Sequence, residues 1–362
     1  MRDTVLFTGF PGFLGSELLP RVLAAAPDRE ALCVVQSRFA PLARERAAAL
    51  EARFPGIAGR IRLAEGDIAR PGLGLAGAAE PARVVEVFHL AAVYDLSVER
   101  ALAEWVNVEG TRRTLALAAD CPRLQAFHHV STCYVSGRHA GVFREGDLDV
   151  GQAFNNAYEE TKFRAELLVR EAARKGLPAA VYRPAIVVGD SATGETQKYD
   201  GPYYFIRWAL RLPAVAILPM VGDPAAVRLN VVPRDFVVQA IAGLAADPGA
   251  RGRTFHLADP SPLTIDEIVR GIEAASGRFV VRVPLPLGVA KAALDRVPGV
   301  EALLGIPSSA VDYFVHPTTY ATDATREALR AAGVELPRLR DYLPRLVEYV
   351  RAHPDVPSAA MA

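Results

Sequence analysis

The stretch that decides the fold is Thr4-Val5-Leu6-Phe7-Thr8-Gly9-Phe10-Pro11-Gly12-Phe13-Leu14-Gly15. Its first five residues are a short apolar run that reads as a buried strand. From Leu14 to Ala25 the apolar spacing turns helical and stops near Pro27, with Pro20 inside it predicting a kink or a shift. Glycines 9, 12 and 15 therefore sit between a strand and a helix. A turn there needs unusual backbone angles, close backbone approach to a pyrophosphate, and tight packing of helix on strand. The helix start then offers free N–H groups to phosphate. Gly9, Phe10, Gly12, Phe13, Leu14 and Gly15 are the expected cofactor contacts of this loop. A purely structural tight turn is the alternative, and the placement between strand and helix argues against it.

Outward from this loop the alternation continues. Ala31 to Gln36, Arg60 to Ala64, Val84 to Leu90, Ala126 to Val130 and Ala179 to Arg183 read as strands. Pro41 to Arg53, Ala101 to Ala119 and Asn156 to Ala173 read as helices. Apolar strands alternating with helices predict an α/β fold, a doubly wound parallel sheet covered on both faces. After about Gly189 the texture changes, with Pro, Gly and Tyr rising across Tyr199 to Pro224. Phe236 to Ala245 and Thr254 to Leu257 look like a return to the sheet. The expected organisation is a dinucleotide-binding Rossmann domain over 1–190 with 231–258 returning to it. A smaller substrate lobe is expected over 191–230 and 259–362, with a ligand cleft between the two.

At 362 residues the chain has room for about two domains. Its hydrophobic fraction of 51% and charged fraction of 23% exclude a mostly disordered chain. Lys+Arg and Asp+Glu are 41 each, so no basic field is available and no nucleic-acid partner is expected. Cys33, Cys121 and Cys133 form no disulfide framework and no metal-ligand spacing, so a reducing, cytoplasmic location and no metal are expected. Met1-Arg2-Asp3 runs straight into the first strand, and no secretion signal or transmembrane span is expected.

Three further groups carry chemistry. After the second strand comes Gln36-Ser37-Arg38, where a reader of an unphosphorylated ribose usually places an acid. None stands there, and Arg38 would pair with a 2′-phosphate, favouring NADP(H) over NAD(H), unless it is only a solvated surface arginine. Asp67, beside Ile68, would accept from the adenine amino group or merely cap a loop. Tyr158 and Lys162 stand four apart, on one face of a helix. An ammonium one turn away stabilises a phenolate, so Tyr158 would hand a proton to a carbonyl oxygen as hydride arrives. Ser131 and Thr132 lie at the carboxyl end of a strand, where ligands of open parallel sheets bind. A hydroxyl there shares the carbonyl oxygen with the tyrosine. His128 and His129 read as strand and core residues.

Together these residues resemble the extended short-chain dehydrogenase/reductase family. The likeness runs through the glycine turn, His89-Leu90-Ala91-Ala92, Asn107-Val108-Glu109-Gly110-Thr111, Val130-Ser131-Thr132, Tyr158/Lys162 and Tyr182-Arg183-Pro184, over about the first 190 residues. The fuller strings, among them His89 to Asp95 and Arg183-Pro184-Ala185-Ile186-Val187-Val188-Gly189, are most similar to the acyl-thioester reductase branch. That branch holds fatty acyl-CoA reductases of the male-sterility type and terminal reductase domains of peptide synthetases. The resemblance implies Tyr158 as proton donor, Lys162 as its tuner and a ribose contact, and Thr132 as the catalytic hydroxyl with Ser131 beside it. It implies that Ala91 and Ala92 line the cofactor and that Pro184, Ile186 and Val187 face the nicotinamide side. Asn107 would hold the fourth strand end. Against the eukaryotic fatty acyl reductases, no counterpart of their added C-terminal region is expected within these 362 residues, and Glu159 stands where they tend to have Thr.

In the second lobe Tyr203 and Tyr204, with Trp208, Leu212 to Val221 and Leu285 to Leu304, would make a greasy wall for an acyl chain or simply a lobe core. Tyr203 and Tyr204 join Tyr94, Ser131 and Thr132 as the expected substrate contacts. Leu285 to Leu304 would otherwise serve a homodimer face or a membrane surface. Lys198, Arg207 and Arg211 would meet phosphates of CoA or of a carrier arm, or remain solvated. The expected reaction is NADPH-dependent reduction of an acyl thioester, on CoA or an acyl carrier protein, to aldehyde or alcohol. The alternatives are a nucleotide-sugar epimerase or dehydratase, a ketone or aldehyde reductase, and a non-catalytic cofactor-binding protein.

Overall fold

The computed structural model describes residues 2–94, 98–211, 215–296 and 308–357. Seven strands form the main sheet: β1 Asp3–Thr8, β2 Arg29–Val35, β3 Ile61–Glu65, β4 Val84–His89, β5 Ala126–Val130, β6 Ala179–Pro184 and β7 Thr254–Leu257. Their spatial order is 3-2-1-4-5-6-7, and every pairing is parallel. Chain direction across the sheet reverses between β1 and β4, which opens a crevice at their carboxyl ends.

Side chains alternate between two buried layers. Val5 and Phe7 point into one, with Leu18, Leu19 and Phe236. Leu6 points into the other, with Val87, Phe127 and Val169. Sheet and helices thus bury both faces, as a near-continuous apolar strand requires. The helix Gly15–Ala25 continues through Pro20. The expected helix 101–119 is instead three consecutive pieces: α-helical Arg100–Ala103, π-helical Glu104–Glu109 and α-helical Gly110–Ala119. Gly110 lets this rod pack closely on the loop after β3, since a Cβ there would sit 2.6 Å from Ile68 Cδ1.

The second lobe has its own core, including Tyr199, Tyr203, Ile268, Tyr342 and Leu346. Its helix Ile265–Ser276 begins with a capping box between Thr264 and Glu267. The segment 259–362 is not one lobe, however. Thr318–Tyr320 pairs with Gly141–Phe143, and the helix Asp323–Ala331 places Leu329 in the main core. That part returns to the sheet because its apolar face is complementary to the helix Arg234–Ala246. Residues 212–214 and 297–304 of the two greasy stretches lie outside the described residues. Leu218 and Met220 pack inside the lobe core instead of opening onto a cleft. Among the described residues no helix is long and apolar enough to cross a membrane.

Candidate active site

The glycine turn is built by contact as much as by angle. Gly9 has φ +91°, and a Cβ there would lie 2.8 Å from Leu90 Cβ. Gly12 and Gly15 have no positive φ, yet their Cβ atoms would stand 2.7 and 2.4 Å from Gly9 O. Among the described residues the N–H groups of Phe13 and Leu14 have no acceptor, so they are available to an anion at the helix start. Two arginines that sequence reading missed flank this turn. The buried Arg234 guanidinium lies 5.2 Å above the Phe13 ring with its Nε unpartnered. Arg46 donates to Pro11 O and reaches Gln197 at 3.3 Å. Open donors, an orphaned buried guanidinium nitrogen and glycines that keep the backbone bare all fit a dinucleotide pyrophosphate.

Thr8, His89 and His129 are in register across β1, β4 and β5. Thr8 Oγ1 accepts from Leu90 and Ala91 N–H at 3.2 Å each, so its own proton goes to His89 Nδ1 at 2.9 Å. His89 Nε2 then donates to Thr111 Oγ1 at 3.0 Å, and Thr111 donates to Asn107 O at 2.7 Å. Burial, with Lys162 nearby, pushes His89 down to about 3, so it stays neutral in this chain. Asn107 donates to Thr161 Oγ1 at 3.0 Å and accepts from Val93 N–H at 2.9 Å. It ties the loop after β4 to the helix Ala157–Arg174, as expected. Ala91 and Ala92 lie half-buried on that loop.

At the end of β2, Arg38 is exposed, lies 4.7 Å over the Phe39 ring and donates to Gln36 Oε1 at 3.0 Å. Asp67 accepts from Gln36 Nε2 at 3.3 Å and from Ala69 N–H at 2.9 Å. Ile68 is buried beneath Gly110 and has little surface to offer an adenine. The absence of an acid at the β2 end holds in sequence only. Glu65 from β3 comes alongside and accepts from Ser37 Oγ at 2.9 Å.

The helix Ala157–Arg174 starts where Asn156 Oδ1 accepts from Glu159 N–H at 3.0 Å. It carries Tyr158 and Lys162 to the end of β5. The Tyr158 phenol and the Thr132 hydroxyl are both buried, and Thr132 Oγ1 accepts from Tyr134 N–H at 3.2 Å. Lys162 Nζ donates to Val130 O at 2.8 Å. The expectation that Lys162 acidifies Tyr158 does not hold for this arrangement. Burial pushes the Tyr158 phenol well above its usual value, and the nearby Thr132 hydroxyl only partly counters it. Burial also brings Lys162 down to about 8, against the pull of Glu166.

The Ser131 hydroxyl, expected as a substrate contact, is committed to another side chain. It donates to Glu166 Oε2 at 2.7 Å inside a fully buried cluster. There Arg183 donates to both Glu166 oxygens, at 3.0 and 2.7 Å, and to Asp147 O at 2.7 Å. Burial alone would raise the Glu166 carboxyl, but Arg183, Arg170 and Ser131 hold it below its ordinary value. His256 Nδ1 donates to Ala321 O at 2.7 Å and its Nε2 accepts from Arg183 at 2.9 Å. Tyr203 is likewise committed elsewhere, its hydroxyl accepting from Gly189 N–H at 2.9 Å within the lobe core. Pro184 O accepts from Thr132 at 3.4 Å, while Ile186 and Val187 are half-buried on the strand Ile186–Val188 that follows.

The mouth of the site is aromatic. The Tyr94 ring stands edge-on to Tyr158 with centroids 4.9 Å apart. On the far side Tyr134 packs edge-on against Tyr313 at 4.8 Å. Tyr204 sits in a small cluster with Val221, Ala290, Leu294 and Val311. Tyr313 donates to Glu159 Oε1 at 2.8 Å and accepts from Asn156 Nδ2 at 3.1 Å. Glu159 is therefore a buried anchor for the segment Ser308–Val315.

The family model described as "Male sterility protein" matches residues 7–241. The chain belongs to this family, among the extended short-chain dehydrogenases/reductases. It is an oxidoreductase with a nicotinamide-dinucleotide fold. A linear gramicidin synthase chain of Brevibacillus parabrevis is 30% identical over 75% of this chain and 5% of that protein. Glycine betaine reductase ATRR of Emericella nidulans is 30% identical over 75% of this chain and 22% of that protein. The chain thus spans a small part of these relatives. The terminal R domain from the myxalamid PKS-NRPS pathway superposes with TM-score 0.82 at 27% identity, over 98% of this chain and 93% of that one.

Proposed function

We propose that this male-sterility-type reductase reduces an acyl thioester, using NADPH in preference to NADH. The observation that carries the reading is the Thr132–Tyr158 hydroxyl pair at the end of β5, with Lys162 behind it and the glycine turn at the switch point. A nicotinamide cofactor held there supplies hydride. Phe13 and Leu14 N–H, Arg234 and Arg46 would hold its pyrophosphate, with Gly9, Phe10, Gly12 and Gly15 keeping the approach open. Arg38 would take the 2′-phosphate and Asp67 the adenine edge. Ala91, Ala92, Pro184, Ile186 and Val187 would line the nicotinamide half.

Thr132 and Tyr158 donate to the thioester carbonyl oxygen as negative charge grows on it. Tyr158 then gives up its proton, and the cost of forming a buried phenolate falls when the Lys162 ammonium turns from Val130 O toward it. Tyr94 and Tyr204 flank the acyl group. Collapse of the hemithioacetal releases thiol and aldehyde, and a second cycle would give an alcohol. The peptide-synthetase relatives make a carrier-bound thioester the favoured form, with CoA thioesters second. The buried free cysteines favour a reducing cytoplasm.

The test is nicotinamide absorbance together with free-thiol release, with NADPH against NADH, across carrier-bound and CoA thioesters, aldehydes and nucleotide sugars. Thiol release coupled to NADPH oxidation is expected, with the NADPH preference lost in Arg38→Ala. NADPH oxidation without thiol release, or conversion of a nucleotide sugar with no added cofactor, would refute the reading.

A further inference from the structure

The helix Ala157–Arg174 carries the backbone of Tyr158, but its ring also has a neighbour that no helix or strand holds. Tyr94 lies on the loop after β4 and stands edge-on to Tyr158, with ring centroids 4.9 Å apart. It keeps 37% exposure, and an exposed side chain on a loop changes rotamer freely unless a partner holds it.

The partner comes from the segment 195–200. Lys198 Nζ lies 3.8 Å from the centroid of the Tyr94 ring, well inside the distance of about 6 Å at which an aromatic face attracts a cation. The same nitrogen is 2.6 Å from Asp200 Oδ2. The Lys198 and Asp200 side chains are only 19% and 14% exposed, so solvent ions screen this pair less than one on the open surface. The backbone around it is fixed as well. Thr196 is buried and donates from Oγ1 to Lys198 O at 3.2 Å, and Gln197 Oε1 accepts from Arg46 at 3.3 Å. Asp200 O accepts from Tyr203 N–H at 3.1 Å, where the helix Tyr203–Arg211 begins. Contacts therefore run without a break from Asp200 through Lys198 and Tyr94 to Tyr158. The pair also balances charge. Burial raises the Tyr94 and Tyr158 phenols, and the Asp200 carboxylate adds to both shifts, so an ammonium seated on that carboxylate offsets its effect.

We propose that Lys198 is a positioning residue: anchored by Asp200, its ammonium holds the Tyr94 ring against Tyr158 and so keeps Tyr158 aimed into the site. The assignment rests on the reading of Tyr158 as proton donor, and not on which carbonyl compound is reduced. Lys198 acts through Tyr94 and transfers no proton.

Two measurements test it. The first is fluorine NMR of protein labelled with 3-fluorotyrosine, in which Tyr94→Phe and Tyr158→Phe assign the two resonances. Both should move in Lys198→Ala and return towards their wild-type positions in Lys198→Arg. The second is turnover, on whichever thioester or aldehyde the wild type reduces fastest. Lys198→Ala should lower kcat on the order of tenfold, because a misdirected proton donor costs rate. NADPH affinity by fluorescence titration should be unchanged. Lys198→Arg should stay within about threefold of wild type, since a guanidinium also stacks on an aromatic ring and pairs with a carboxylate. Adding Asp200→Asn to Lys198→Ala restores the charge balance without restoring the hold on Tyr94, and should remain as slow as Lys198→Ala alone. A Tyr158 resonance that stays in place while that of Tyr94 moves would overturn the assignment. So would a failure of Lys198→Arg to rescue, or wild-type turnover in the double variant, which would leave Lys198 only a neutraliser of charge. Unchanged turnover in Tyr158→Phe would instead sink the donor reading, on which the resonance shifts do not depend.

Discussion

At Tyr158 two influences oppose each other. Burial disfavours the phenolate, and the nearby Thr132 hydroxyl favours it without prevailing. The protein therefore holds Tyr158 as a proton-bearing phenol, the form a reductase needs before hydride arrives. Tyr158→Phe should lower reduction by on the order of 10²- to 10⁴-fold while leaving NADPH affinity within about twofold of wild type, since the ring stays and only the hydroxyl is lost. Steady-state rates and a fluorescence titration check both halves. Lys162 has the opposite problem. With its value brought down to about 8, it carries charge below that pH and loses it above. NADPH affinity should therefore weaken as pH rises through about 8 in the wild type, and Lys162→Met should show a flat, weaker profile over the same window. A pH series of binding titrations reads this directly.

The element that aims these residues is the junction of β5 with the helix Ala157–Arg174. It is braced from below by Glu166, Arg183 and Ser131, all fully or nearly fully buried. A buried ion pair adds little over an apolar substitute, but removing one partner leaves the other uncompensated. Glu166→Gln should cost roughly 3–5 kcal/mol of stability, seen as a lower denaturant midpoint. The Glu166 carboxyl is held below its unfolded value, so its contribution is complete above about 4.3 and fades as pH falls through the folded value. Acid unfolding of Glu166→Gln should accordingly be less steep than that of the wild type. This brace also shows where sequence reading stops. The strand-end position of Ser131 and Thr132 is legible from β-branched runs and spacing. Which hydroxyl faces outward is not, because it depends on a carboxylate 35 positions along the chain that captures Ser131.

Over the whole molecule, the segment Ser308–Val315 meets the helix Ala157–Arg174 where Tyr313 donates to the buried Glu159. Removing that hydroxyl from a charged acceptor costs about 1.5–3 kcal/mol locally. Tyr313→Phe should raise KM for the thioester several-fold with NADPH affinity unchanged, because the wall shifts and the glycine turn does not. Glu159 stood out in the sequence only as a departure from related reductases, and its role depends on a residue 154 positions away. The sheet, the glycine turn and the Tyr158/Lys162 pair were readable because each is encoded locally, by period, by turn chemistry and by helical spacing. Arg46, Arg234 and the return of Thr318–Tyr320 to the main body were not, because each is fixed by tertiary packing.

In the proposed reaction hydride leaves the cofactor for good and ends on a carbonyl carbon facing Tyr158. This transfer is tested most directly with NADPH deuterated at C4 of the dihydropyridine ring and a carrier-bound or N-acetylcysteamine thioester, read by mass spectrometry. Deuterium is expected on C1 of the aldehyde or alcohol, with one equivalent of free thiol. Turnover with all the deuterium still on the nicotinamide, as an enzyme that recycles its hydride would give, contradicts it.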